Sequence, residues 1–305
     1  MSSVVDEGAI RSPLLRALTP DQERPRPKRS AMRRYARLRL ALAGLVMIAI
    51  LGLLALFAPV VAQHGPSDVD LRARDQGPSV DHWLGTDRTG RDTFARTVYA
   101  GRVSLSVGIA AVVISVTIGA FLGAIAGYFG GFVDDLVMRF TDVVMTFPPI
   151  LIILLLAALT GPGLWKTILL IGLLNWPIPC RLVRAKFLAL RNQEFVLAAR
   201  AMGCSPVRII GRHAFPSVTD VLVVYASLGV AAAILLEAGL SFLGLGVQPP
   251  TASWGNMLNV ARNVSVLEHR PWQWMPAGGA IVIIVLAINL CGDGLRDTLD
   301  PRMRL

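Results

Sequence analysis

Apolar residues in this chain gather into long blocks separated by polar ones. Residues 40–62 form a run of 23 without a charge. At about 1.5 Å per residue in a helix, that run exceeds the roughly 30 Å core of a bilayer. Residues 103–133 are uncharged for 31 positions, and 143–165 are uncharged although Pro148 and Pro149 interrupt them. The block at 167–180 has only 14 uncharged positions. That is about 21 Å of helix, so this span has to continue through Arg181 and Arg184. Glu237 is the sole charge in 221–246, and 271–292 is again uncharged. These six blocks predict an all-α membrane protein with six transmembrane helices.

Charge placement orients the spans. Residues 24–39 hold eight Lys or Arg just before the first block, and 181–216 hold seven against Glu194 alone. Lys and Arg collect on the cytoplasmic side of membrane proteins. Both termini and 191–216 are therefore predicted inside, with 63–100 and 247–270 outside. The segment 63–100 has five Arg against six Asp. The domain reading is a basic tail at 1–39, a first helix at 40–62, an extracytoplasmic segment at 63–100, a five-helix core at 101–295 and a cytoplasmic end at 296–305. The tail has four prolines between Pro13 and Pro27 and no apolar period, which predicts disorder over its first thirty or so residues. A cleaved signal peptide is the rival reading of 40–62, since Val60-Val61-Ala62 resembles a cleavage site, but the run is too long and the preceding tail too extended, so a retained span is expected.

Composition agrees with a membrane setting. The chain is 54% hydrophobic and 16% charged, where soluble domains average about 25% charged. The net charge of +10 sits in the topogenic segments, so it predicts contact with membrane lipid and no nucleic-acid partner. Cys180, Cys204 and Cys291 are far apart and form no CxxC pair; neither a disulfide framework nor a zinc site is expected. The four histidines are scattered. No HExxH, GxSxG or complete phosphate loop occurs; GPGLWKT at 161–167 fails because Trp165 precedes the lysine. The sequence thus assigns no catalytic residue, no metal ligand and no cofactor bound by this chain.

Polar and small residues inside the blocks carry further expectations. Gly119, Gly123 and Gly127 form a small-xxx-small ladder that lets another helix come close. Asp135, Arg139 and Asp142 share one helix face and predict a paired ladder at the third span. Asp87, Arg88, Arg91 and Asp92 suggest a metal or catalytic cluster by residue type, but their mixed signs predict salt-bridged packing in the outer segment. Breaks in a membrane helix need neighbours or a cavity to satisfy freed carbonyls. Pro148, and Asn175 beside Pro177 and Pro179, mark such breaks. Together with Glu237 they are the candidate translocation-path residues. A mid-span Asp costs about 2.5–3.5 kcal/mol on insertion, and Glu237 should cost less, lying past the centre. Lining a path and bonding within the bundle both account for it.

The stretch 191–216, RNQEFVLAARAMGCSPVRIIGRHAFP, is amphipathic and basic. Glu194 to Met202 predicts a short helix with Ala198 and Ala199 on a thin side. Gly203 then supplies φ > 0. Ser205 as N-cap and Pro206 in the first turn open a second helix. Arg208 and Arg212 charge it, and Pro216 closes the unit.

This stretch resembles the E-A-A-x-x-x-G-x(9)-I-x-L-P loop of ABC-importer membrane subunits. Ala198, Ala199, Gly203 and Pro216 match. Leu197 stands where the family often has Glu, His213 where it has Ile, and Phe215 where it has Leu. HWLGTDRTGRD (82–92), AGYFGG (126–131), LSFLGLGVQPP (240–250), SWGNML (253–258), PWQWMPAG (271–278) and GDGLRDTLDPR extend the resemblance to the dipeptide/oligopeptide/nickel branch of these permeases. The resemblance implies a bacterial inner-membrane protein and a cytoplasmic two-helix coupling loop between helices 4 and 5. That loop, with Leu197, Ala198, Ala199, Gly203, Cys204, Ser205, Pro206, Arg208 and Pro216, would dock on an ATPase. It further implies a homologous second permease, two cytoplasmic ATPases that bind ATP-Mg, and an extracytoplasmic solute-binding protein. Di- or oligopeptides are the expected cargo. The competing class is a self-contained ion-coupled carrier, which often shows repeated halves with paired broken helices; no second copy of the 191–216 pattern occurs.

Overall fold

A computed structural model describes residues 29–299. Its helices are α1 (Arg29–Leu56), α2 (Ala58–Val61), α3 (Thr93–Phe129), α4 (Gly131–Thr146), α5 (Pro149–Thr160), α6 (Leu164–Leu174) and α7 (Pro177–Leu190). There follow α8 (Glu194–Ala201), α9 (Pro206–Arg208), α10 (Thr219–Phe242), α11 (Trp254–Leu258), α12 (Val264–His269) and α13 (Met275–Leu299). No strand occurs among the described residues, and a lone bridge pairs Thr86 with Asp92. The all-α membrane fold follows from the hydrophobic blocks. Five helical stretches are long and apolar enough to span, or six when the bent pair α4 and α5 counts as one.

Two boundaries differ from expectation. Helix α1 begins at Arg29, so the end of the segment assigned to the tail is helical. The rest of the tail, 1–28, and the end of the chain, 300–305, lie outside the described residues. The first span stops at Leu56, where Phe57 breaks the helix and the one-turn α2 begins at Ala58 with Pro59 in its first turn.

Helix α3 is the central post, 37 residues long. Its glycine ladder faces α7. A Cβ on Gly119 would stand 2.7 Å from the Trp176 carbonyl oxygen, and one on Gly127 2.7 Å from that of Arg184. One on Gly123 would collide with the Cys180 carbonyl. Absent side chains thus let the two backbones touch, as the ladder predicts. On other faces α3 meets α6 and α10, with Gly172 against the Ala111 carbonyl and Gly108 against Ile234.

Both predicted breaks are present. At Phe147–Pro148 the chain bends by 76° between α4 and α5. Pro149 cannot donate and its ring blocks a continuous helix. Between α6 and α7 the break falls at Asn175 and Trp176. The Asn175 amide donates to the Ile171 carbonyl at 2.7 Å, and the Tyr225 hydroxyl donates to the Asn175 carbonyl at 3.3 Å. The freed backbone is thereby satisfied inside the bundle.

The expected ladder on α4 takes another form. No ion pair joins Asp135 to Arg139. Asp134 instead takes both ends of the Arg184 guanidinium, and Asp142 meets Arg181. The Asp134–Arg184 pair is bidentate, two parallel charge-assisted bonds, which makes it a stronger partner than a single exposed contact.

Candidate functional site

The two ends of α3 carry two different polar layers. At its C-terminal end sits 191–216. Helix α8 ends in a Schellman motif: the Cys204 amide donates to the Ala199 carbonyl at 3.0 Å, and the Gly203 amide to that of Arg200 at 2.9 Å. Gly203 has φ +77°, and nothing lies within 4 Å of where its Cβ would be. The requirement for glycine is therefore conformational and not steric.

Ser205 occupies the N-cap position with extended backbone, and Pro206 is the first residue of α9. The Ser205 hydroxyl makes no cap hydrogen bond, contrary to its expected role. The second helix also departs from a simple α-helix. After Arg208 it widens into a π-turn over Ile209–Ala214 and then tightens to a 3₁₀ turn at Phe215–Ser217. Pro216 lacks an N–H and its ring crowds the preceding turn, which accounts for the widening. Pro216 does not stop the unit; α10 starts at Thr219.

The loop is fixed to the bundle by one apolar face. Val196, Ala199, Ile209 and Ala214 are buried with Phe187 and Val183 of α7. The Arg200 guanidinium lies 4.8 Å from the Tyr128 ring centre at the end of α3. The other face is bare. Leu197 is half exposed, Met202 is 75% exposed and Val207 82% exposed. Ala198 and Arg208 are exposed too, and Cys204 is half buried.

The candidate path residues separate into two kinds. Pro148 is exposed at the α4–α5 bend. Asn175 lines an internal cavity of about 40 Å³ with Ser115, Tyr225 and Gly229. Glu237 is fully buried. Its carboxylate accepts from Ser104 of α3 at 3.0 Å and from Ser241 of its own helix at 2.7 Å. These hydroxyls accept in turn from the amides of Trp254 at 3.2 Å and Val247 at 2.9 Å. The serines were not singled out from the sequence. The i,i+4 spacing of Ser241 from Glu237 was the only signal; Ser104 lies 133 residues away.

The N-terminal end of α3 carries the second layer, which joins the two segments predicted outside. Arg270 pairs with Asp75 at 2.6 Å, and the Gln273 amide donates to Asp75 at 2.8 Å and to the Thr86 carbonyl at 3.1 Å. Ser253 and Asn256 form a capping box on α11. This seats Trp254, whose indole donates to the Thr97 carbonyl at 3.0 Å. Of the charged cluster at 87–92, Asp87 and Arg91 pair as expected, while Asp92 meets His82 at 2.9 Å. Arg91 meets Asp87 at 2.8 Å, and Arg96 approaches it at 3.8 Å. Burial works against ionisation of Asp87. The Thr89 hydroxyl, the Arg91 and Thr89 amides and the Arg91 guanidinium outweigh it and hold the carboxyl below its usual range. Asp92 caps α3 through the Ala95 amide at 2.7 Å.

Comparison with known proteins accounts for this architecture. Residues 119–305 match the family described as binding-protein-dependent transport system inner membrane component. Residues 27–78 match the N-terminal transmembrane domain of oligopeptide transport permease C. A putative peptide permease protein of Brucella suis biovar 1 is 50% identical over 279 residues, covering 92% of each chain. The oligopeptide transport system permease protein of Escherichia coli is 42% identical over 276 residues, 90% of this chain and 91% of that one. The dipeptide transport system permease protein of Alkalihalophilus pseudofirmus is 40% identical over 296 residues, 94% of this chain and 97% of that one. These matches decide against the ion-coupled carrier. The chain belongs to the binding-protein-dependent inner membrane components and is the multi-pass permease subunit of an ABC importer, working with a solute-binding protein and a separate ATPase subunit.

Proposed function

We propose that the bare face of 191–216 is the surface on which a cytoplasmic ATPase docks, so that ATP turnover moves the helices to which the loop is fixed. The observation that carries this is the pairing of opposite faces. One face is locked under α3 and α7, while Leu197, Met202 and Val207 lie exposed beside Arg208. Exposed apolar side chains rimmed by charge mark a partner surface. The layer at the other end of α3 then faces outside, where a solute-binding protein delivers cargo. Charge bias supports this sidedness, with both termini cytoplasmic. The full set is this chain, a homologous second permease, two ATPases carrying ATP-Mg and one binding protein. The ATP-Mg is held by those ATPases and not by this chain. The names of the relatives support di- or oligopeptide cargo.

Pro148 and Asn175 are the proposed path residues. Glu237 is better read as an anchor, since its carboxylate is enclosed and holds the amides of 247 and 254 through two serines.

Cysteines placed singly at Val207 and Val80 in a cysteine-free background test the reading. In intact cells an impermeant maleimide should label the Val80 position and spare the Val207 position. A thiol cross-linker in membranes should join the Val207 position to the ATPase. Labelling of the Val207 position from outside overturns the topology, and cross-linking to nothing but lipid overturns the docking role.

A further inference from the structure

His64, His82 and Asp92 converge where α3 begins, at the end of the bundle opposite 191–216. Each offers one ligand atom, and all these atoms lie within 4.8 Å of one another. The Nδ1 of His82 is 2.9 Å from Asp92 Oδ2, and the Nδ1 of His64 is 3.9 Å from the same oxygen. The two imidazole centres are 4.9 Å apart.

A hydrogen bond explains the orientation of His82. It does not explain His64, which makes no hydrogen bond among the described residues yet turns the same nitrogen toward the same oxygen. We propose that the three side chains bind one divalent transition-metal ion of the zinc class.

The geometry and the donor set both fit. Ligand atoms around tetrahedral zinc, with bonds of about 2.0–2.2 Å, stand about 3.3–3.6 Å apart; the two distances here lie on either side of that span. Two imidazoles and one carboxylate suit zinc, nickel or copper, whereas magnesium and calcium prefer all-oxygen sites. Asp92 is held for the task. Its Oδ1 accepts the Ala95 amide, so Oδ2 is aimed at the imidazoles by the backbone of α3. The positive end of the helix dipole opposes a cation there, and the Asp92 charge offsets it. His64 is partly exposed, which leaves a fourth position for water. The ion would tie the chain just beyond α2 to the start of α3, adding a cross-link to the hydrogen bonds, such as Arg96 to the Pro66 carbonyl, that already fold this segment back.

The test uses the full-length chain in detergent, purified without a polyhistidine tag and stripped with EDTA. Zinc is titrated against a chromophoric chelator, and thermal unfolding is followed with and without zinc. Wild type should bind one zinc per chain and unfold at a higher temperature when zinc is present. Outer-shell changes alone cost about 10–100-fold in metal affinity, so His64→Ala and His82→Ala should each weaken binding by at least that. Asp92→Asn keeps an acceptor for the helix cap and should weaken binding too. Without zinc, partly exposed His64 makes only the 3.9 Å approach to Asp92 and the ring contact with His82 among the described residues, so His64→Ala should unfold within a few degrees of wild type without zinc and lose the zinc-dependent rise. X-ray absorption of the zinc form should show two imidazoles. No zinc bound above background, or equal affinity in wild type and His64→Ala, overturns the proposal.

Discussion

The Ser104 hydroxyl on α3 donates to the Glu237 carboxylate on α10 at 3.0 Å, and the same hydroxyl accepts the Trp254 amide at 3.2 Å. One buried acid therefore holds two spans and the loop that caps them. Removing it would leave serine hydroxyls without an acceptor and a cavity beside them. Glu237→Ala should cost about 2–5 kcal/mol. Glu237→Gln keeps one acceptor and can donate to the other serine, so it should cost about 1 kcal/mol or less. Thermal unfolding in detergent measures both. Equal stability of Glu237→Ala and wild type would contradict the anchoring role.

The α3–α7 contact makes a sharper demand. A Cβ at Gly123 meets the Cys180 carbonyl, which is backbone and cannot swing aside. Gly123→Ala should push the helices apart and cost about 1–3 kcal/mol. Gly52→Ala on α1 has open space around it. It should be neutral, or stabilising by up to about 1 kcal/mol through its better helix propensity. The difference in unfolding temperature between these two variants is the readout.

Gly203 tests conformation alone. Its surroundings are open and its φ is +77°, so a branched side chain strains only the backbone, by about 1–2 kcal/mol. Gly203→Val should insert and fold. The turn should change, however, and swing α9 and the following π-turn away from their docking position. Transport should fall while expression holds, and Cys204 should label with maleimide whether or not the ATPase is present. Normal transport, with Cys204 still shielded by the ATPase, would refute this.

The Asp87 carboxyl predicts an acid limit for the outer layer. Its pKa is lowered in the folded chain from an ordinary 3.8. The stability it contributes is complete above that ordinary value and is lost as pH falls through the lower, folded one. The protection factors for hydrogen exchange at 85–92, taken against the intrinsic rate at each pH, should therefore fall below about pH 4. Asp87→Asn should show lower protection factors at neutral pH and lose their fall below about pH 4.

The spans were legible because a bilayer sets a length that apolar runs must meet, and breaks at Pro148 and Asn175 were legible because proline has no donor. Gly203 was legible from the helix former before it and the Ser-Pro after it. The π-turn at 209–214 was not, since it arises from Pro216 meeting a helix that continues into α10. Partners of Asp142 and Glu237 were also hidden. Local spacing pointed Asp142 to Arg139 on its own helix, while its partner Arg181 and the Glu237 partner Ser104 come from other helices. His64 and His82 looked scattered for the same reason: 28 residues separate His64 from Asp92, and only the fold brings them to one oxygen.

The central claim is that this chain is one part of an ATP-driven importer and moves nothing by itself. Uptake of labelled peptide into proteoliposomes tests it directly. The purified chain is compared alone and together with the second permease, the ATPases and the binding protein, with and without ATP. Uptake should be ATP-dependent for the full set and absent for the chain alone under any ion gradient. Uptake by the chain alone at the rate of the full set would contradict it.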